Sequence, residues 1–160
     1  MRSKKIPLKV RAALAAGNIR EANALLGDLY SIQGIVVMGR QAGRTIGFPT
    51  ANLKLNEQSP LFLANGVYAV KIKHLKVLYN GMANIGIRPT FEQHELTIEA
   101  NLFDFSDDIY GEKLTLYFVE KIRDEKKFSG PEELKKQIAL DKNRVMELLA
   151  GLDHTDTSTK

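Results

Sequence analysis

The sequence predicts a mainly β domain, an antiparallel sandwich or barrel, with a helical hairpin before it and one helix after it. Three observations carry this. From Tyr30 onward, short runs of β-branched and aromatic residues alternate with turn signals. Ahead of them, residues 7–27 are rich in alanine and leucine, with glycines where helices would end. Behind them, Leu134, Ile138, Val145, Leu148 and Leu149 recur near helical spacing.

Each element follows from local chemistry. Pro7 suits a first helical turn and Gly17 a helix end. Asn18 and Glu21 have capping-box spacing for a second helix, which Gly27 ends. The strand-like runs are Ile32 to Val37, Val67 to Val70 after Gly66, 75–85, 96–105 and 113–119, the last two joined across Asp107, Asp108 and Gly111. Ser129 and Glu132 have capping-box spacing, with Pro131 in the first turn of the final helix. The expected organisation is a helical linker or appendage over 1–27, a barrel with its helix over 28–150, and a disordered polar tail over 151–160.

Composition excludes several function classes. The 160 residues are enough for one domain, and 44% apolar content supports a core. Cysteine is absent, so there is no disulfide, thiolate metal site or cysteine nucleophile. No apolar run reaches the length of a membrane span, and the N-terminus lacks the apolar core of a signal peptide; the expected compartment is the cytoplasm. The net charge is +4, with Arg2, Lys4, Lys5, Lys9 and Arg11 clustered together. No aromatic residue interleaves them, so they read as a solvated arm and not a nucleic-acid platform. Neither nucleic acid nor membrane is expected as a partner, and the sequence names no protein partner.

The most informative run is GRTIGFPTANL at 43–53. Gly43 and Gly47 let backbone approach a ligand, and Arg44 adds a cation beside them. Pro49 fixes φ, which aims the oxygen-bearing side chains of Thr50 and Asn52. Such ligands suit a hard cation such as Mg²⁺ carried in with a nucleotide. The run is not a Walker A loop. The plainer reading is a polar surface turn in which Thr50 and Asn52 bond to backbone.

These residues resemble the flavokinases, which phosphorylate riboflavin on its 5′-hydroxyl. The resemblance runs from GxxxGRTIGFPTANL at 39–53 through NIGIRPTF at 84–91, EANLFDFSDDIYG at 99–111 and IRDEKKFSGPEEL at 122–134. It implies a six-stranded antiparallel Greek-key β-barrel followed by a helix. It implies ATP and riboflavin as substrates, FMN and ADP as products, and Mg²⁺. Gly39, Gly43, Arg44 and Gly47 would cradle the phosphates. Thr50 and Asn52 would organise nucleotide and metal, and Glu99 would take the 5′-hydroxyl proton as general base. Many relatives carry a histidine two positions after that glutamate; here it is Asn101, which cannot titrate.

Arg123 and Phe128 fall in the segment that the resemblance makes a flap over the flavin. Their plainer readings are a surface ion pair and an apolar staple on the final helix. Asn84-Ile85-Gly86 reads as a turn, and Asp104, Asp107 and Asp108 as a loop between strands and not a metal site. Residues 7–27 also look like the segment preceding this module in bacterial bifunctional flavokinase/FAD synthetases. None of the three histidines, His74, His94 and His154, sits in an H-x-G-H motif, so adenylyl transfer is not expected. The competing class is a non-catalytic barrel that holds flavin or an oligonucleotide. That class needs neither Glu99 nor the cation ligands, and an oligonucleotide binder needs strand aromatics in the open.

Overall fold

The structure is a computed structural model that describes residues 6–37, 50–55, 61–89, 91 and 94–158. Two short helices, α1 (Leu8–Ala15) and α2 (Ile19–Leu26), form the opening hairpin. Gly17 and Gly27 end them at φ +81° and +73°, a left-handed backbone that glycine adopts without a Cβ clash. The capping box expected at Asn18 does not form. The Asn18 N–H already donates to the Ala13 carbonyl at 2.8 Å, so Glu21 has no amide to cap. The hairpin is packed into the domain core: Val10, Leu14, Ile19 and Ala22 join the same buried cluster as Tyr68 and Phe118 of the barrel. Asn23 ties the two together, accepting from the Tyr30 N–H at 2.8 Å and donating to the Phe118 carbonyl at 2.9 Å.

Six strands close into an antiparallel barrel: β1 (Ser31–Val37), β2 (Ala51–Leu55), β3 (Gly66–His74), β4 (Val77–Pro89), β5 (His94–Leu102) and β6 (Lys113–Arg123). Their order around the barrel is β1-β2-β5-β4-β3-β6. Strands β3 to β5 are successive hairpins and β6 returns beside β3, which is a Greek key. Two elements differ from the sequence reading. Residues 51–55 are a strand and not part of a loop, and Asn84-Ile85-Gly86 lies inside β4 and not in a turn.

Strand alternation sorts the side chains into two cores. Tyr68, Val70, Ile72, Ala83, Ile85, Ile98, Ala100 and Leu116 fill the barrel interior. Val67, Ala69, Met82, Phe103, Val119 and Ile122 form a second cluster outside the wall, covered by Val145 and Leu149 of the last helix. Two register shifts in the β3–β6 pairing leave Val119 and Ile122 as the extra residues of β6. Bulges re-aim side chains in this way. Here they turn two apolar groups toward the helix and bring Arg123 opposite Val67.

The last helix, α3, spans Pro131–Ser158. Its cap differs by one residue from the expected box. With Gly130 at the N-cap, Glu133 and not Glu132 reaches back, accepting from the Ser129 N–H and hydroxyl. The helix also runs past Gly151, where the sequence reading placed a disordered tail. One glycine inside a helix costs only about 1 kcal/mol relative to alanine, too little to force a stop.

Candidate active site

The site is assembled by strand register. Asn52 of β2 stands opposite Glu99 of β5, and Asn84 of β4 stands opposite Glu99 from the other side. Val67 of β3 continues the row beside Asn84, and Arg123 of β6 completes it beside Val67. Directly paired residues share a face. Ile98 and Ala100 point into the core, so Glu99 and its row lie on the outer wall. Four polar side chains from distant parts of the sequence, Asn52, Glu99, Asn84 and Arg123, thus share one row across the strands, next to the C-terminal helix.

A narrow cleft of about 70 Å³ opens on this row, lined by Thr50, Met82, Asn84, Glu99, Arg123 and Asp141 among others. Its far wall is α3, through Ile138 and Asp141. Asp141 is only 3% exposed and is fully engaged. Arg123 Nε donates to both its oxygens at 3.0 Å, Arg123 Nη2 adds a bond of 2.8 Å, and Gln137 Nε2 another of 2.9 Å. This two-toothed pairing fixes the guanidinium plane at the cleft edge. Phe128 packs its ring 5.8 Å from the same guanidinium. The structure therefore brings together Arg123 and Phe128, and it commits Arg123 to α3 and not to the acids adjacent in sequence.

The segment after β6 folds back over β4. Glu125 rests on Gly86 so closely that a Cβ there would collide with its carboxylate. That contact explains a glycine inside a strand. At the base of the same segment Lys121 pairs with Asp124, whose carboxyl is held below its ordinary range first by the Lys121 hydrogen bond and then by its charge.

A larger cleft, about 330 Å³, lies at the adjacent barrel edge. Val36, Ala51, Ala100, Leu102, Phe105 and Ile109 give it an apolar wall, and Ser106, Asp107 and Asp108 a polar lip. Asp107 and Asp108 sit in the connection between β5 and β6, where Asp108 accepts from the Tyr110 N–H at 3.2 Å. Among the described residues no group of three histidines or acids is placed to hold a metal ion. Thr50 lines both clefts, so the two meet at the start of β2.

Gly39, Gly43, Arg44 and Gly47 lie outside the described residues. The ends of that segment do not: Val36 and Thr50 both border the larger cleft. Asn84 and Asp141 were not singled out as site residues in the sequence. Asn84 was hidden by its turn-like neighbours. Asp141 sits 18 residues from Arg123, and no local pattern marks the pair.

A family model of the flavokinases, described as riboflavin kinase, matches residues 26–149. The chain belongs to the riboflavin kinase family. Among its relatives, the bifunctional riboflavin kinase/FMN adenylyltransferase of Bacillus subtilis is 44% identical over 146 residues, covering 89% of this chain and 46% of that protein. The enzyme of the same description from Haemophilus influenzae is 47% identical, covering 82% and 42%. The chain thus spans less than half the length of the curated relatives it matches. A solved structure described as a macrolide-efflux protein from Streptococcus pneumoniae superposes with a TM-score of 0.83 at 40% identity, covering 89% of this chain and 47% of that one. The riboflavin kinase of Trypanosoma brucei superposes with a TM-score of 0.53 at 22% identity, over 75% of this chain and 79% of its own; it shares the fold. Among the described residues no helix is long and apolar enough to cross a membrane.

Proposed function

We propose that this chain transfers the γ-phosphoryl group of ATP to the 5′-hydroxyl of riboflavin, giving FMN and ADP, with Glu99 as general base. The observation that carries this reading is the meeting of two clefts at Thr50, one of them bearing Glu99. A transfer between two substrates needs two adjoining sites, with the base in reach of the acceptor hydroxyl. The larger cleft, at about 330 Å³, has the volume and apolar wall for a nucleoside. Gly39, Gly43 and Gly47 would take the phosphates, with Arg44 supplying charge-assisted bonds.

The smaller cleft takes the acceptor. At about 70 Å³ it is far below the roughly 300 Å³ of a site for a drug-sized ligand. A flavin enters only when the segment from Arg123 to Phe128 lifts Glu125 off Gly86, and closure afterwards excludes water. Arg123 and Phe128 then offer a guanidinium and a ring to the flat isoalloxazine.

Glu99 accepts the proton of the 5′-hydroxyl as its oxygen attacks phosphorus. Asn52 and Asn84, fixed beside it by strand register, position that carboxylate and hydrogen-bond the substrates. Thr50 Oγ1 and the Asn52 amide oxygen would offer oxygen donors of the kind that suit Mg²⁺ shared with the nucleotide phosphates. When bound, Mg²⁺ supplies neutralisation of the phosphate charge. An oligonucleotide-binding barrel is less well supported, because Tyr68 is buried and no strand presents a row of open aromatics among the described residues.

The test is chromatographic detection of FMN from riboflavin, ATP and Mg²⁺. Stoichiometric FMN and ADP support the proposal; a folded protein that yields neither overturns it.

A further inference from the structure

Phe105 forms part of the apolar wall of the larger cleft. Its ring is held by two aromatic side chains, His74 at 5.5 Å and Tyr79 at 5.1 Å, both near edge-to-face. His74 ends β3 on the inward face, in line with Val70 and Ile72, and is only 9% exposed. Its Nε2 lies 2.8 Å from Glu112 Oε1. Glu112 is in turn fastened beside the cleft. Its carbonyl accepts from the Val36 N–H at 2.9 Å, its N–H donates to the Ile109 carbonyl at 3.1 Å, and Gly111 N–H donates to Val36 at 2.8 Å. Val36 and Ile109 are themselves cleft walls. His74 is not. One buried imidazole therefore braces two sides of a cleft it does not line, one through its ring and one through its nitrogen.

We infer that His74 is a positioning residue for nucleotide binding, acting through Phe105 and Glu112 to set affinity for the adenine nucleotide. This rests on the assignment of the larger cleft to the nucleotide. Imidazole suits the role because it combines a compact aromatic face for Phe105 with a ring nitrogen for a carboxylate. A purely structural histidine would change stability and leave both substrate affinities alike.

The experiment measures ATP binding by calorimetry with Mg²⁺, and separately kcat and both KM values, for wild type, His74→Ala, Phe105→Ala and the double variant. His74→Ala raises the Kd and KM for ATP by about threefold to tenfold, the range an aromatic pair contributes. The KM for riboflavin and kcat stay within about twofold. The double variant loses less affinity than the two single losses combined, because part of the histidine's effect runs through that ring and the rest through Glu112. Unchanged ATP affinity, an equal rise in both KM values, or additive losses would overturn the inference. If His74→Ala does not fold, His74→Phe and Glu112→Gln are read the same way, and unaltered ATP affinity in both overturns it. A wild type that binds ATP yet makes no FMN sinks the kinase reading while leaving the Kd comparison intact.

Discussion

Replacing Asp141 of α3 with alanine should be strongly destabilising for a single change. The carboxylate is 3% exposed and accepts three bonds from Arg123 and one from Gln137. Its removal leaves a guanidinium whose side chain is 19% exposed without its counter-charge. Breaking a buried pair from one side costs about 3–5 kcal/mol. Arg123 Nη1 keeps its 3.0 Å bond to the Asp124 carbonyl and has some access to water, which lowers the expected cost to about 2–3 kcal/mol. For a chain of this size that lowers Tm by roughly 4–12 °C. Urea unfolding of wild type, Asp141→Ala and Arg123→Met/Asp141→Leu measures it. The double variant should recover most of the loss, since the buried charge is gone with its partner. Asp141→Ala within about 0.5 kcal/mol of wild type, or a double variant less stable than the single one, would refute the reasoning.

Two further predictions use the same geometry. Gly86→Ala displaces only the end of the Glu125 side chain, so stability should change by less than about 1 kcal/mol. The KM for riboflavin should change at least about threefold, because the covering segment loses its seat; steady-state kinetics at saturating ATP would show it. Burial, and secondarily repulsion from Asp124, pushes the Tyr68 phenol up from 10.0 to about 12. The folded state keeps that proton where the unfolded chain has released it. Stability is therefore untouched below pH 9 and falls as pH rises from about 10 to about 12. Urea unfolding against pH should be steeper for wild type than for Tyr68→Phe in that window; parallel curves would reject the assignment.

What could be read from the sequence depended on the range of the interactions. Gly17 and Gly27 announced helix ends because their cause, a positive φ, is local. Strand residues such as Val70 and Ile98 were legible because they sit in short β-branched and aromatic runs. Strand β2 was not, since Pro49-Thr50-Ala51-Asn52 reads as turn chemistry and the strand is only five residues long. Gly86 suggested a turn, whereas its cause is Glu125 pressing from 39 positions away. The bulges at Val119 and Ile122 break alternation and so leave no periodic trace. Glu99, Thr50 and Asn52 were found as motif members, but register alone places Asn52 and Asn84 on either side of Glu99. The Arg123–Asp141 pair and the His74 brace are tertiary, and no window of sequence contains them.

The central claim is that Glu99, in the smaller cleft that meets the larger one at Thr50, takes the proton from riboflavin. The most direct measurement is kcat for FMN formation by wild type and Glu99→Ala side by side, at saturating ATP, Mg²⁺ and riboflavin. The account predicts a loss of at least about a hundredfold in the variant, with ATP binding retained. A variant that turns over at the wild-type rate would contradict it.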